Sequence, residues 1–192
     1  MPGFLAWGAL VPLLAALELR VRRGASAGAL FRLGWLFGLV FFLVGTHWIA
    51  LLSDVAITVP WLRYPAWVAA AAYLALYPGL AVLVTGLLAR PPGPRAAAAA
   101  REGAPRAHRV PPALSFPVAF GVAEWLRGSG ELGFPWLQPG YSQHAYVPLI
   151  QMAGLGGVGL VTLWLLCLNV LLWRSLAGGA RARAALGALL LV

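Results

Sequence analysis

Stretches of about twenty apolar residues, separated by short links that carry arginine, govern what this chain can become. A helix needs about 20 such residues to cross the hydrocarbon core of a bilayer. Runs of that kind cover about residues 3–19, 33–52, 64–89, 110–126 and 149–173. A last run, Ala184 to Val192, is less than half that length; it reads as an interfacial tail or, having no polar stop, as a sixth helix cut short, and the second is expected. Only 10% of the residues are charged, against roughly 25% in soluble domains. The expected fold is therefore an all-α integral membrane protein, with five transmembrane helices plus a truncated sixth.

The net charge of +9 is carried by arginine alone, since the chain has no lysine. Nucleic-acid binding would need a continuous basic face. Here the arginines lie in links, so that function class is set aside. Arg20, Arg22, Arg23 and Arg32, the five from Arg90 to Arg109, and Arg174, Arg181 and Arg183 all fall on one side of the expected bundle. Only Arg63 and Arg127 fall on the other. By the positive-inside rule the arginine-rich side is expected to be cytoplasmic. Residues 90–109 rise from a Pro-rich start through an alanine run and read as a cytoplasmic linker. The apolar run at the N-terminus has no basic residue before it and reads as a retained helix rather than a signal peptide.

One polar, turn-rich stretch interrupts the apolar pattern, at residues 124–148 on the outward side. It begins with Glu124 and Arg127, which at a spacing of three share a helix face and can pair. Ionisable groups near hydrocarbon are expensive; the pair is either structural or part of a site. Phe134, Pro135, Trp136, Tyr141 and Tyr146 follow among glycines and prolines. They suit an interfacial aromatic belt or, equally, a loop lining a lipid entrance, because irregular backbone at membrane depth must be buried or line a cavity. Trp48 and His47 lie at the outer end of the second run, where either could face that loop. Tyr73 and Tyr77 share a face of the third. The glycines at 154, 156, 157 and 159 suggest close helix approach. Cys167, the single cysteine, has no basic neighbour to activate it and reads as packing. Asn169 is a candidate for interhelical hydrogen bonding. No metal-ligand spacing and no cofactor motif is present.

The run Glu124-x-Leu126-Arg127-Gly128, then Gly133-Phe134-Pro135-Trp136-Leu137-Gln138-x-Gly140-Tyr141-Ser142-Gln143, resembles the signature of the membrane portion of bacterial apolipoprotein N-acyltransferases. Gly45-x-x-Trp48-Ile49 and Ala72-Tyr73-Leu74-x-Leu76-Tyr77-x-Gly79-Leu80 resemble earlier helices of that family, in the same order. The resemblance implies a multi-pass protein of the bacterial inner membrane with the signature loop facing the periplasm. It implies an enzyme that takes an acyl chain from a phospholipid onto a cysteine thiolate and passes it to the α-amino group of a lipoprotein's diacylglyceryl-cysteine. In the family a nitrilase-like domain supplies the catalytic Glu, Lys and Cys. Nothing in this chain resembles that domain, and with no lysine the triad is absent, so the chain is expected to be part of the membrane domain and inactive alone. On this reading residues 1–192 bind lipid and dock the nitrilase-like domain. Glu124, Arg127, Phe134, Pro135, Trp136, Tyr141, Gln143, His47, Trp48 and Tyr73 are the candidate substrate-binding residues. The alternative is a non-enzymatic lipid-binding scaffold or small transporter component.

Overall fold

A computed structural model describes residues 3–53, 59–91 and 110–178, with the single positions 183 and 187. Most of the 90–109 linker and all of the run 184–192 except position 187 lie outside the described residues. Seven α-helices are described: α1 Val11–Arg22, α2 Ala27–Gly45, α3 Arg63–Leu74, α4 Leu76–Ala89, α5 Pro112–Arg127, α6 Val147–Ile150 and α7 Ala153–Leu176. No strand occurs among the described residues.

Four segments are long and apolar enough to cross a membrane: Gly3–Arg22, Ala27–Gly45, Arg63–Ala89 and Ala153–Leu176. The run expected at 110–126 forms α5, a helix of 16 residues. At 1.5 Å per residue it spans about 24 Å, short of the ~30 Å hydrocarbon core. Pro111 and Pro112 set where it starts and Gly128 caps its end. It packs between α4 and α7.

The first span is two pieces. A 3₁₀ segment, Gly3–Trp7, precedes α1. Asn169 on α7 stitches the join: its Oδ1 accepts from the Leu10 N–H at 2.9 Å and its Nδ2 donates to Ala6 O at 2.9 Å. The break thus precedes Pro12, at the residues whose helical hydrogen bonds a side chain replaces.

Helix α2 starts at Ser26, whose hydroxyl accepts from the Ala29 N–H. It ends at Gly45 rather than running on to residue 52. Thr46 closes it by donating its hydroxyl to Phe42 O at 2.6 Å, and a 3₁₀ turn, His47–Leu51, follows. The third span is α3 and α4, meeting at Ala75. Pro78, within the first turn of α4, has no N–H to return to Leu74 O.

Lipid tails are as apolar as leucine, so helices in a bilayer associate through close packing. The closest packing joins α2 to α4. A Cβ on Gly34 would meet Pro78 O and the Val82 side chain, and Gly79 and Gly86 of α4 lie against Phe31 and Leu30. The glycines expected to do this, in α7, do something else. No atom lies within 4 Å of a Cβ built on Gly154 or Gly159. Gly156 and Gly157 leave the helical conformation, and Gly157 has φ 63° with ψ −168°, a combination open essentially to glycine. The cluster makes a kink, and α7 is regular only beyond it.

The candidate site beneath the signature loop

Three ties hold the irregular backbone after α5, and each neutralises polar groups that hydrocarbon would penalise. The first is Arg127, wholly buried at the C-terminus of α5. Its Nη2 donates to Glu124 Oε2 at 2.6 Å and its Nε to Oε1 at 3.3 Å. Its Nη1 reaches forward to the carbonyls of Phe134 and, at 2.8 Å, Trp136. The Phe134 N–H returns a bond to Arg127 O at 2.8 Å. The guanidinium also lies 5.2 Å from the Phe42 ring centroid on α2. A planar fork of donors suits this task, where a lysine would supply one point charge.

The second tie is Thr162 on α7, whose Oγ1 accepts from the Gly140 N–H at 3.1 Å. The third is Gln143, fully buried. Its Nε2 donates to Gly3 O and its Oε1 accepts from Trp7 Nε1, both at 2.9 Å, which binds the loop to the N-terminal segment. Gln143 therefore holds loop and helix together and is turned inward.

Between the first two ties the loop plugs into the end of α2. Leu137 takes φ 63°, which is rare for a residue with a side chain. Its side chain sits where a Cβ on Gly45 would have to go. One residue earlier, the Trp136 ring packs tilted against Trp48 and against Phe134, each at 5.6 Å between ring centroids. The spacing Gly45-x-x-Trp48 therefore has a physical reading: the glycine receives Leu137 and the indole receives Trp136.

Under this loop is a cavity of about 530 Å³, within the size range of small-molecule sites. Phe37, Phe41 and Phe42 of α2, Phe120 of α5 and Leu165 of α7 supply its apolar walls, and Leu137 and Tyr141 its roof. Its polar groups are few: Glu124, Asn169, Gln138, Ser142 and His144. Glu124 and Asn169 are committed to protein partners. The Gln138 Oε1 is buried and has no hydrogen-bond partner. Such a space suits an apolar chain with a polar end near the loop.

The ten candidate residues do not all share this space. Glu124 and Tyr141 line the cavity, and Arg127 supports its roof. Phe134 and Tyr73 line a separate pocket of about 380 Å³ with Thr46, Ile49 and Leu132. Tyr73 also hydrogen-bonds Tyr77, oxygen to oxygen, at 3.0 Å. Trp136 and Trp48 are both exposed, 57% and 39%, and Pro135 is exposed beside them. His47 is exposed and its Nδ1 engages Val44 O at 2.8 Å. Leu137, Gln138 and Gly45 belong to the runs that carry the family resemblance but are not among the ten candidates, and Thr162, within an apolar helix, has no local signal.

Residues 2–171 match the family model described as the apolipoprotein N-acyltransferase N-terminal domain. The chain belongs to this family. It is 37% identical over 161 residues to an apolipoprotein N-acyltransferase of Chromobacterium violaceum, an alignment covering 83% of this chain and 28% of that protein. Identity is 34% over 172 residues to the enzyme of that name from Ralstonia nicotianae, covering 84% of this chain and 29% of the relative. For the Caulobacter vibrioides protein it is 35% over 186 residues, covering 95% and 31%. The chain thus spans less than a third of the length of these curated relatives. No solved structure matches it. As a member of this family the chain is a bacterial membrane protein, and its all-helical bundle agrees with that.

Proposed function

We propose that this chain is the lipid-handling membrane portion of an apolipoprotein N-acyltransferase and that the cavity under the signature loop receives an acyl chain. The single observation carrying this is the ~530 Å³ space walled by phenylalanine and leucine and roofed by the signature residues themselves. Trp136, Trp48 and Phe134 form an aromatic cluster next to the roof residue Leu137, outside the cavity lining, where a lipid arriving from the outer leaflet would first meet the loop. The loop faces the periplasm, as the arginine distribution favours. The acyl donor is a phospholipid and the acceptor a diacylglyceryl-lipoprotein.

The reacting groups of the family do not come from these residues. The chain has no lysine, and Cys167 is half-buried within α7 among apolar neighbours. A nitrilase-like domain supplies the Glu, Lys and Cys and docks on the exposed outer surface of the loop, around Glu131, Leu132 and Pro135. Joining residues 1–178 to the remainder of the Chromobacterium violaceum relative tests this. The chimera should N-acylate a diacylglyceryl-lipopeptide from phospholipid while the 192-residue chain alone does not. Turnover by the chain alone would refute the division of labour.

A further inference from the structure

The end of the bundle opposite the signature loop holds a second cavity of about 300 Å³, where α1, α4 and α7 end and α5 begins. Its floor is apolar: Leu14, Val21, Ala113 and Val170. Its rim carries Glu18, Arg22 and Arg174. Glu18 is fully engaged. One carboxylate oxygen takes two hydrogen bonds from Arg22, at 2.6 and 3.2 Å, and the other takes Trp173 Nε1 at 2.9 Å. Two arginines thus face one carboxylate, which leaves the rim net positive, and Arg174 is exposed and makes no hydrogen bond among the described residues.

We propose that this cavity is a binding site for an anionic phospholipid of the arginine-rich leaflet, with the phosphate at Arg174 and Arg22 and the start of an acyl chain on the apolar floor. Charge complementarity and shape carry the assignment together. A basic rim over an apolar recess between membrane helices fits an anionic headgroup with its tail, while a free anion would find no use for the floor. The Glu18–Trp173 bond fixes the rim, since it ties α1 to α7 across 155 positions of sequence. This site lies on the far side of the bundle from the acyl cavity and does not depend on how that cavity is used.

The test is lipid retention by the 192-residue chain in nanodiscs of mixed phosphatidylglycerol and phosphatidylcholine, read by native mass spectrometry after gentle delipidation. Phosphatidylglycerol should be retained over phosphatidylcholine. Arg174→Ala should lower its retention about fivefold, the size expected of one near-surface cation. Arg174→Lys should keep most of it. Arg32→Ala, an exposed arginine on α2 that does not line the cavity, should leave it unchanged. Equal retention of both lipids, no loss in Arg174→Ala, or an equal loss in Arg32→Ala would overturn the proposal. Millimolar inorganic phosphate should not displace the lipid, and if it does, the site takes free anions instead.

Discussion

Arg127 and Glu124 form a two-pronged ion pair in which Arg127 is completely buried and Glu124 is 5% exposed. A pair like this contributes little net stability over an apolar substitute, yet breaking it leaves a buried charge uncompensated. Here the arginine also carries the Phe134 and Trp136 carbonyls. Arg127→Met should therefore destabilise the chain by about 3–5 kcal/mol, measured by thermal unfolding in detergent. The double variant Arg127→Met, Glu124→Gln should recover part of that loss. A purely additive double variant would show that the two side chains act independently.

The packing of α2 on α4 gives a contrast between glycines. Gly34→Ala forces a methyl group against backbone at Pro78 and should cost about 1–3 kcal/mol through overpacking. Gly159→Ala, in a helix and facing open space, should be neutral or slightly stabilising. Thermal unfolding of the two variants checks both signs.

The packing of Trp136 against Trp48 should be measurable as a coupling. A double-mutant cycle with Trp136→Ala and Trp48→Ala should return about 0.5–1.5 kcal/mol of interaction energy. Zero coupling would mean that the two indoles share a surface without holding the loop.

Gln143 binds the loop to the N-terminal segment through Gly3 and Trp7. Gln143→Leu leaves the Gly3 carbonyl and the Trp7 N–H without their partner and should cost about 1–3 kcal/mol. Faster hydrogen exchange at residues 3–10 than in the parent chain is the local readout, and unchanged exchange there would contradict the tie.

The apolar periodicity made the bundle legible, because twenty-residue hydrophobic runs have few other uses. It was least reliable at the ends. Helix α2 was expected to continue to residue 52, and Thr46 ends it by a side-chain bond that hydropathy does not register. The α7 glycines are the same residue type as those that pack α2 on α4. Composition could not show that one set packs and the other breaks a helix, because that depends on which neighbour faces it. In the site, the Glu124–Arg127 spacing announced the pair. The plug of Leu137 into Gly45 was invisible, since it depends on a left-handed leucine and on two residues 92 positions apart. Glu18 and Trp173 meet across 155 positions, for which nothing local gives a sign.

Photo-crosslinking reads whether the cavity beneath the loop takes an acyl chain. A phospholipid with a diazirine in its acyl chain, reconstituted with the 192-residue chain, should label Phe37 or Leu165, the cavity walls that are not exposed to surrounding lipid. Ala9 lines the same cavity and is exposed at its mouth, so Ala9→Trp should block access without disturbing the fold. Labelling of Phe37 and Leu165 should fall sharply in Ala9→Trp while labelling of the exposed Leu36 and Val40, which do not line this cavity, persists. Labelling confined to outward-facing residues in the parent chain, or unchanged by Ala9→Trp, would contradict acyl-chain binding in the cavity.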